Sequence, residues 1–172
     1  MIVKVFADAN ILISVLNKEL PLFSITSRIL SLVDHPHFRI YTSPVCLAIA
    51  FYFAQKKHGR SAKERLELLS RHIETAEVTR GCILSALADP KIHDLEDGLE
   101  YYAALDAGCH CIITENKKNF FGNRRERFVR RTDVSGLREL DYFSMEGQFP
   151  HIFSKIEVLD SFEFYEKYMA GR

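Results

Sequence analysis

The stretch that most constrains the fold of this chain runs from His93 to Phe120 and reads HDLEDGLEYYAALDAGCHCIITENKKNF. Asp94 and Asp97 open it, and apolar residues then recur at the spacing of a helix face. These residues are Leu95, Leu99, Tyr102 and Leu105. Gly108 stands where a helix commonly ends in a left-handed residue. The short apolar run Cys109 to Thr114 suits a strand covered on both faces, so the stretch predicts a helix, a buried strand and a polar loop.

The rest of the chain alternates strand patterns with helix patterns. The predicted strands are Ile2 to Ala7, Phe38 to Thr42, Ile73 to Val78, Cys109 to Thr114 and Ile156 to Leu159. The predicted helices are Pro21 to Asp34, Val45 to about Lys57, Ser61 to His72, Thr79 to Ala88 and one that begins at Ser161. Such alternation predicts an α/β fold in which helices cover both faces of a mainly parallel sheet.

Several acids fall where predicted strands end or helices begin. Asp8 follows the first strand, Asp94 and Asp97 begin a helix, and Asn116 lies just past a later strand. Ligands of open parallel sheets bind at the carboxyl edge, so we expect the three carboxylates to converge there, near Asn116. Helix capping is the alternative for each acid, because an Asp at a helix N-terminus satisfies free backbone amides.

Composition sets broad limits on the function. The chain has 172 residues, a formal net charge of zero and four cysteines. This length suits one domain, and a nucleic-acid partner would have to be met by a local basic patch. No apolar run reaches membrane-spanning length, and the start MIVKVFADAN lacks the features of a signal peptide, so we expect a cytoplasmic protein. Buried free thiols are the favoured interpretation of the cysteines.

Four segments resemble the PIN domain family: VFADAN, SPVCLAIAFYFAQKKHG, DLEDGLEYYAALDAGCHCIITENKKNF and IEVLDSFEFYEKY. The resemblance covers residues 1 to 120 and about 156 to 169. It implies one domain over residues 1–172, a three-layer α/β/α sandwich with a mainly parallel central sheet, and an atypical insertion at about 121–155. It also implies Mg²⁺- or Mn²⁺-dependent cleavage of single-stranded or structured RNA. Further implications are a role as the toxin of a toxin–antitoxin pair, an antitoxin partner and a homodimer.

The resemblance also assigns the site. Asp8, Asp94 and Asp97 match the metal-binding acids, and Asn116 stands at a further catalytic position. Two departures leave the acidic set incomplete, since Asn116 and Ile49 stand where the family usually has acids. Glu115 could replace an acid if its loop turned inward, and an exposed loop position is the alternative. The expectation is a metal-dependent ribonuclease, or alternatively a catalytically impaired fold that binds nucleic acid or protein.

A basic segment follows the predicted site. The residues expected to contact nucleic-acid phosphates are Lys117, Lys118, Arg124, Arg125 and Arg127, and the nearby aromatics could stack on bases. A solvated helix face with core aromatics is an equally good explanation. A doubly wound protein that binds a phosphorylated small molecule is a poorer one, because the chain has no glycine-rich phosphate loop.

Overall fold

A five-stranded parallel sheet forms the centre of the computed structural model, which describes residues 2–117, 120 and 156–170. The strands are β1 (Val3–Ala7), β2 (Phe38–Thr42), β3 (Glu74–Thr75), β4 (Cys111–Ile113) and β5 (Glu157–Leu159). They lie in the order β3-β2-β1-β4-β5, and every neighbouring pair is parallel. The predicted fold class, an α/β/α sandwich with a mainly parallel sheet, is confirmed.

Seven α-helices are described around this sheet. They are α1 (Ala9–Asn17), α2 (Phe23–Leu30), α3 (Pro44–His58), α4 (Ser61–Ser70), α5 (Arg80–Ala88), α6 (Leu95–Asp106) and α7 (Ser161–Tyr168). Helix α1 packs against α3 and α4, α2 packs against α7, and α5 packs against α6. None of these helices is long and apolar enough to cross a membrane.

Local sequence chemistry explains where the main helices begin and end. Ser43 caps α3 by accepting a hydrogen bond from the Cys46 amide, and Pro44 supplies a backbone angle suited to the first helical position. Asp160 caps α7 in a reciprocal capping box with Glu163. Gly108 follows α6 with φ of 68°, the left-handed conformation that the sequence predicts there.

Strand β1 is the central strand, and the sheet grows from it first on one side and then on the other. The chain first adds β2 and β3 on one side and later adds β4 and β5 on the other. The register pairs Ala7 with Ile113, so the residues that follow these strands, Asp8 and Thr114, are also adjacent. This reversal of strand order is where ligands of open α/β sheets bind.

The core is apolar and continuous. Its largest fully buried hydrophobic side chains are Phe6, Phe38, Phe120, Phe164, Ile11, Leu12, Ile29, Ile40, Ile112, Ile113 and Val5. Complete burial of one such side chain stabilises the fold by about 1.5–3 kcal/mol. All four cysteines are buried and free, as predicted. Burial raises the pKa of Cys109 and of Cys111 to about 12, so both remain thiols.

Two predicted elements differ in extent from the observed ones. The helix predicted over Pro21 to Asp34 is α2 followed by a tighter 3₁₀ turn at Ser31–Asp34, a common way for a helix to end. The strand predicted over Ile73 to Val78 contracts to Glu74–Thr75. This strand lies at the edge of the sheet and both of its residues are exposed. A longer strand would therefore bury little additional surface and gain little stability.

Candidate active site

Asp8 lies at the carboxyl end of β1 and is almost completely buried, with 4% of its surface exposed. Its Oδ2 atom accepts a hydrogen bond from Thr114 Oγ1 at 2.5 Å and a second, short one from Asn10 Nδ2. Thr114 ends β4 and Asn10 lies in the first turn of α1. The Asp8 carboxylate is therefore fixed between two strands and a helix.

Asn10 and Thr114 extend this network into the loop after β4. Asn10 Nδ2 also donates to Thr114 Oγ1 at 3.0 Å, while Asn10 Oδ1 accepts from the Glu115 amide at 3.0 Å. Thr114 Oγ1 accepts from the Asn116 amide at 2.9 Å. The backbone of residues 114–116 is thus held beside Asp8, which leaves the Asn116 side chain exposed at the same edge of the sheet.

Glu100 is the principal site residue that sequence reasoning missed. It lies on α6, is completely buried, and forms a group with Asp8 and Cys46 in which one ligand atom of each lies within 4.8 Å of the others. Glu100 comes three residues after Asp97, a spacing that puts both acids on one face of a helix. That spacing was the available signal, but the prediction of site residues on this helix stopped at the acids of its first turn.

Burial disfavours the ionised form of both carboxyl groups. It raises the pKa of Asp8, although hydrogen bonds from Thr114, from Glu100 and from the amides of Ala9 and Asn10 act against this shift. Burial together with the nearby Asp8 charge raises the pKa of Glu100 well above its ordinary value. Two adjacent acids in a dry site need either a proton or a cation between them.

Cys46 completes the group from α3. Its Sγ donates a hydrogen bond to Glu100 Oε1 at 2.9 Å and receives one from Ser43 Oγ at 3.2 Å. Burial and the charges of Glu100 and Asp8 raise the pKa of Cys46 well above its ordinary value, so the thiol keeps its proton beside these carboxylates. Ile49 lies one helical turn further along α3 and is half-buried.

The other two predicted acids lie at the start of α6 in different environments. Asp94 is exposed and caps the helix, with Oδ1 accepting from the Glu96 amide at 2.9 Å, as the capping alternative proposes. Asp97 is buried, with 8% of its surface exposed, and lies one turn before Glu100. Glu96, which the sequence analysis did not single out, has its pKa raised by burial and by the charges of Asp94 and Asp8. The start of α6 therefore adds negative charge to the same region.

Close packing against α5 fixes the position of α6. A Cβ atom at Gly98 would lie 2.5 Å from Ile92 Cγ2 and 3.0 Å from Ala86 Cβ. A side chain at this position would force its neighbours to shift, and Gly98 lies between Asp97 and Glu100, the two buried acids of the helix. The placement of Glu100 therefore depends on a residue that has no side chain.

The loop beyond Thr114 sends two charged residues away from Asp8. Glu115 is half-buried, and its Oε1 accepts from the Ser161 amide at 3.3 Å and, in a short contact, from the Ser161 hydroxyl. Lys117 Nζ pairs with Asp160 at 2.9 Å and with Glu163 at 2.6 Å. Glu115 thus faces neither the acidic pair nor open solvent, and Lys117 joins β4 to α7.

The remaining predicted nucleic-acid contacts lie outside the described residues. They are Lys118, Arg124, Arg125 and Arg127, together with the proposed insertion at 121–155. These assignments stay predictions.

Asp8 and Glu100 provide oxygen donors suited to a divalent cation. Hard cations such as Mg²⁺ take carboxylate oxygens. Glu100 Oε2 is buried and accepts no hydrogen bond from the described residues, so it is available as a ligand. A cation between the two carboxylates would offset the cost of their burial, which raises both pKa values, and the effect of the Asp8 charge on Glu100. The residues present therefore fit a metal ion.

Comparison with known proteins supports this architecture. Two of the solved structures that share the fold are toxin-system proteins. VapBC2 from Rickettsia felis, bound to a DNA fragment from its promoter, has 18% identity and a TM-score of 0.53 over 68% of this chain and 90% of that one. Mycobacterium tuberculosis VapC20, a toxin that cleaves the sarcin–ricin loop, has 16% identity and a TM-score of 0.52 over 63% and 86%. No curated protein matches the sequence significantly. Residues 4–118 match the PIN domain, and the chain therefore belongs to the PIN domain family.

Proposed function

We propose that this protein is a metal-dependent ribonuclease of the PIN type and that it acts as the toxin of a toxin–antitoxin pair. The observation that carries the proposal is the buried Asp8 and Glu100 pair at the carboxyl edge of the sheet, where burial raises the pKa of both acids and so favours a bound proton or cation. Burying two like charges is unfavourable without a counter-ion, so a purely structural role explains them poorly.

The proposed ligands are Asp8 and Glu100, with Asp97 and Asp94 adding negative charge from the start of α6. A bound Mg²⁺ or Mn²⁺ would supply Lewis acidity toward a phosphate and a water of lowered pKa. Thr114 and Asn10 hold the Asp8 carboxylate in place. Asn116 contributes a neutral polar side chain at the exposed side of the site.

RNA is the proposed substrate, in single-stranded or structured form. The support is the basic segment that begins at Lys117 and continues through Lys118 and the arginines at 124, 125 and 127. Phosphate contacts of this kind increase affinity for any nucleic-acid backbone. Lys117 is paired with Asp160 and Glu163, so its part in binding requires those ion pairs to open.

An antitoxin protein is the proposed partner, in a cytoplasmic setting. The support is the likeness of the fold to the VapC chains of two toxin systems, one of which was crystallised as a VapBC2 complex. A homodimer is a further proposal that rests on the family resemblance alone.

Cleavage of RNA with and without divalent ions tests the proposed activity. The wild-type protein should cut RNA with Mg²⁺ or Mn²⁺ and stop when EDTA is added. Asp8→Asn keeps the shape of the side chain and removes its charge, so activity should fall about 100-fold or more. Asp160→Asn is a matched control, because Asp160 follows the neighbouring strand β5 but pairs with Lys117. Equal activity of wild type and Asp8→Asn would contradict the proposal.

A second candidate function is a catalytically impaired PIN fold that binds nucleic acid or protein. The observation that favours it is that α3 places Cys46 beside the acidic pair and has Ile49, not an acid, on the next turn. The double change Ile49→Glu with Asn116→Asp separates the candidates. If the acid set is too sparse for catalysis, these changes should tighten Mg²⁺ binding in calorimetry and produce RNA cleavage that the parent lacks. A parent that already cleaves as fast as the double variant would exclude this candidate.

A further inference from the structure

We propose that Cys46 is a ligand of the metal ion together with Asp8 and Glu100, so that the site accepts a thiophilic divalent cation of the Zn²⁺ class. The inference concerns the same site as the proposed function and rests on its assignment as a metal site. It differs in the donor set, because the carboxylates of Asp8 and Glu100 favour hard cations whereas a thiolate favours borderline and soft ones.

The fold places the sulfur where a third ligand is needed. Cys46 is completely buried in the first turn of α3, and one ligand atom from it, from Asp8 and from Glu100 lies within 4.8 Å of the others. Ser43 fixes this turn, since its Oγ accepts from the Cys46 amide at 3.0 Å. Three elements, β1, α3 and α6, thus each contribute one donor to a common point.

A second observation indicates a ligand at this point. Glu100 is completely buried and its Oε1 contacts Cys46 Sγ, yet its Oε2 has no hydrogen-bond partner among the described residues. A buried carboxylate oxygen without a partner is costly, because it has lost its hydrogen bonds to water and gained none in return. A cation coordinated by Glu100 would satisfy that oxygen, and the same cation would lie within reach of the sulfur.

Coordination requires protons to leave the site. The Cys46 thiol now donates its hydrogen to Glu100, and binding of a divalent ion replaces the S–H bond by a sulfur–metal bond and displaces any proton that the Asp8–Glu100 pair holds without metal. These protons are released to solvent, and no oxidant or reductant is involved. Zn²⁺ and Co²⁺ form such bonds readily, whereas Mg²⁺ prefers oxygen and would use the carboxylates only.

The simpler alternative is that Cys46 only donates a hydrogen bond to Glu100. Cys82 supplies a comparison within the same chain, because its Sγ also contacts a carboxylate, Asp106 Oδ2, at 3.3 Å. Asp106 is exposed. Cys82 is therefore a control for a cysteine–carboxylate contact outside the acidic pair.

Titration of the metal-free protein with Co²⁺ tests the inference without measuring catalysis. The wild type should develop a sulfur-to-cobalt charge-transfer band in the near ultraviolet, and Cys82→Ser should retain it. Cys46→Ser should lose the band and bind Co²⁺ about 100-fold more weakly, because loss of even an outer-sphere partner costs about 10–100-fold. Its Mg²⁺ affinity should stay within about threefold of wild type, since hard cations use oxygen ligands. A wild type without the band would overturn the proposal.

X-ray absorption at the zinc edge keeps the test decisive if Cys46→Ser does not fold. The triple variant with Cys82, Cys109 and Cys111 replaced by serine retains only Cys46. Its Zn²⁺ complex should show one sulfur at about 2.3 Å. A shell of oxygen and nitrogen alone would refute the sulfur ligand while leaving the proposed ribonuclease intact. A sulfur ligand in a protein that cuts no RNA would instead refute the ribonuclease and leave this site standing.

Discussion

Two acidic clusters lie side by side at the carboxyl edge of the sheet, and their surroundings differ sharply. In the first, Asp8 and Glu100 are buried next to each other, and both have raised pKa values. In the second, Asp160 and Glu163 begin α7 at a more exposed corner and both pair with Lys117. Thr114 belongs to the first cluster, and three residues later Lys117 belongs to the second.

The difference separates acids that stabilise the fold through an ion pair from acids that have no cation beside them. The second cluster, which we call the α7 corner, satisfies its carboxylates with a lysine and with backbone amides. The Asp8–Glu100 pair has hydroxyl, amide and thiol donors around it but no cationic side chain among the interactions described. We therefore assign the Asp8–Glu100 pair, which has no cationic partner among the interactions described, to function. We assign the α7 corner, whose acids pair with Lys117, to stabilisation of the fold.

The largest effect should come from removing one charge in each cluster and measuring RNA cleavage. Glu100→Gln should lower activity about 100-fold or more, because it removes a metal ligand. Glu163→Gln should leave activity within about twofold, since Glu163 belongs to the α7 corner. Similar activity of both variants would mean that the Asp8–Glu100 pair is no more important for RNA cleavage than the α7 corner.

A smaller effect should follow from Gly98→Ala, which disturbs the helix that carries Glu100 and leaves the α7 corner untouched. The new methyl group would collide with Ile92. Overpacking costs about 1–3 kcal/mol, and the better helix propensity of alanine returns up to about 1 kcal/mol. We expect a net loss of about 1–2 kcal/mol in urea unfolding together with weaker metal binding. An unchanged metal affinity would mean that α6 can shift without disturbing the pair.

The two clusters should give opposite pH dependences of the unfolding free energy, measured by urea unfolding of metal-free protein. The pKa of Glu100 is raised above its ordinary 4.5, so its contribution is fully present below pH 4.5 and is lost as the pH rises through the raised value. Glu100→Gln should flatten that decline, because glutamine does not titrate. A tenfold difference in proton affinity between the folded and unfolded states is worth about 1.4 kcal/mol.

Asp160 in the α7 corner should show the reverse sign. Burial acts to raise its pKa, but the Glu163 amide and Lys117 outweigh this and lower it below 3.8. Its contribution is present above pH 3.8 and is lost as the pH falls through the lowered value. Asp160→Asn should therefore lower stability above pH 3.8 and flatten the acid limb of the urea-unfolding profile. Unchanged stability of this variant near neutral pH, with an unchanged acid limb, would contradict the assignment.

The smallest effect should come from Lys117→Ala. Its ion pairs are partly exposed, and such pairs contribute about 0–1 kcal/mol to stability. If Lys117 also contacts RNA phosphates, the variant should bind RNA more weakly with a shallower salt dependence. Lys167→Ala is a control, because Lys167 pairs with Glu157 at the other end of β5. If RNA binding by both variants and by the wild type had the same salt dependence, Lys117 would form only the ion pairs of the α7 corner and would not contact RNA.

Periodicity and capping residues were sufficient to predict most of the fold. The strand from Ile2 to Ala7, the cap at Ser43 and the glycine after α6 all depend on local chemistry, which a sequence shows directly. The edge strand β3 was overestimated because its length is set by neighbours and burial. Those are properties of the assembled sheet and not of residues 73–78 themselves.

The site was less accessible to sequence reasoning. Asp8 could be found because it ends a strand, and Asp97 because it begins a helix. Glu100 and Cys46 lie within helices, and the only local sign of either was the three-residue spacing of Glu100 from Asp97. Only tertiary packing brings them together, and the bond of Cys46 to Glu100 spans 54 residues of sequence. The role of Glu115 was equally hidden, because its partner Ser161 is 46 residues away.

The central position of β1 has a consequence for the order of events during synthesis. The hydrogen bond from Thr114 to Asp8 joins residues 106 positions apart, and Asp8 is translated well before Thr114. Contacts between such distant segments form late, because a long loop must close before they can. A nascent chain in which Thr114 has not yet left the ribosome therefore lacks the hydrogen bond that holds the Asp8 carboxylate. The proposed active site can therefore form only after residue 114 has been translated.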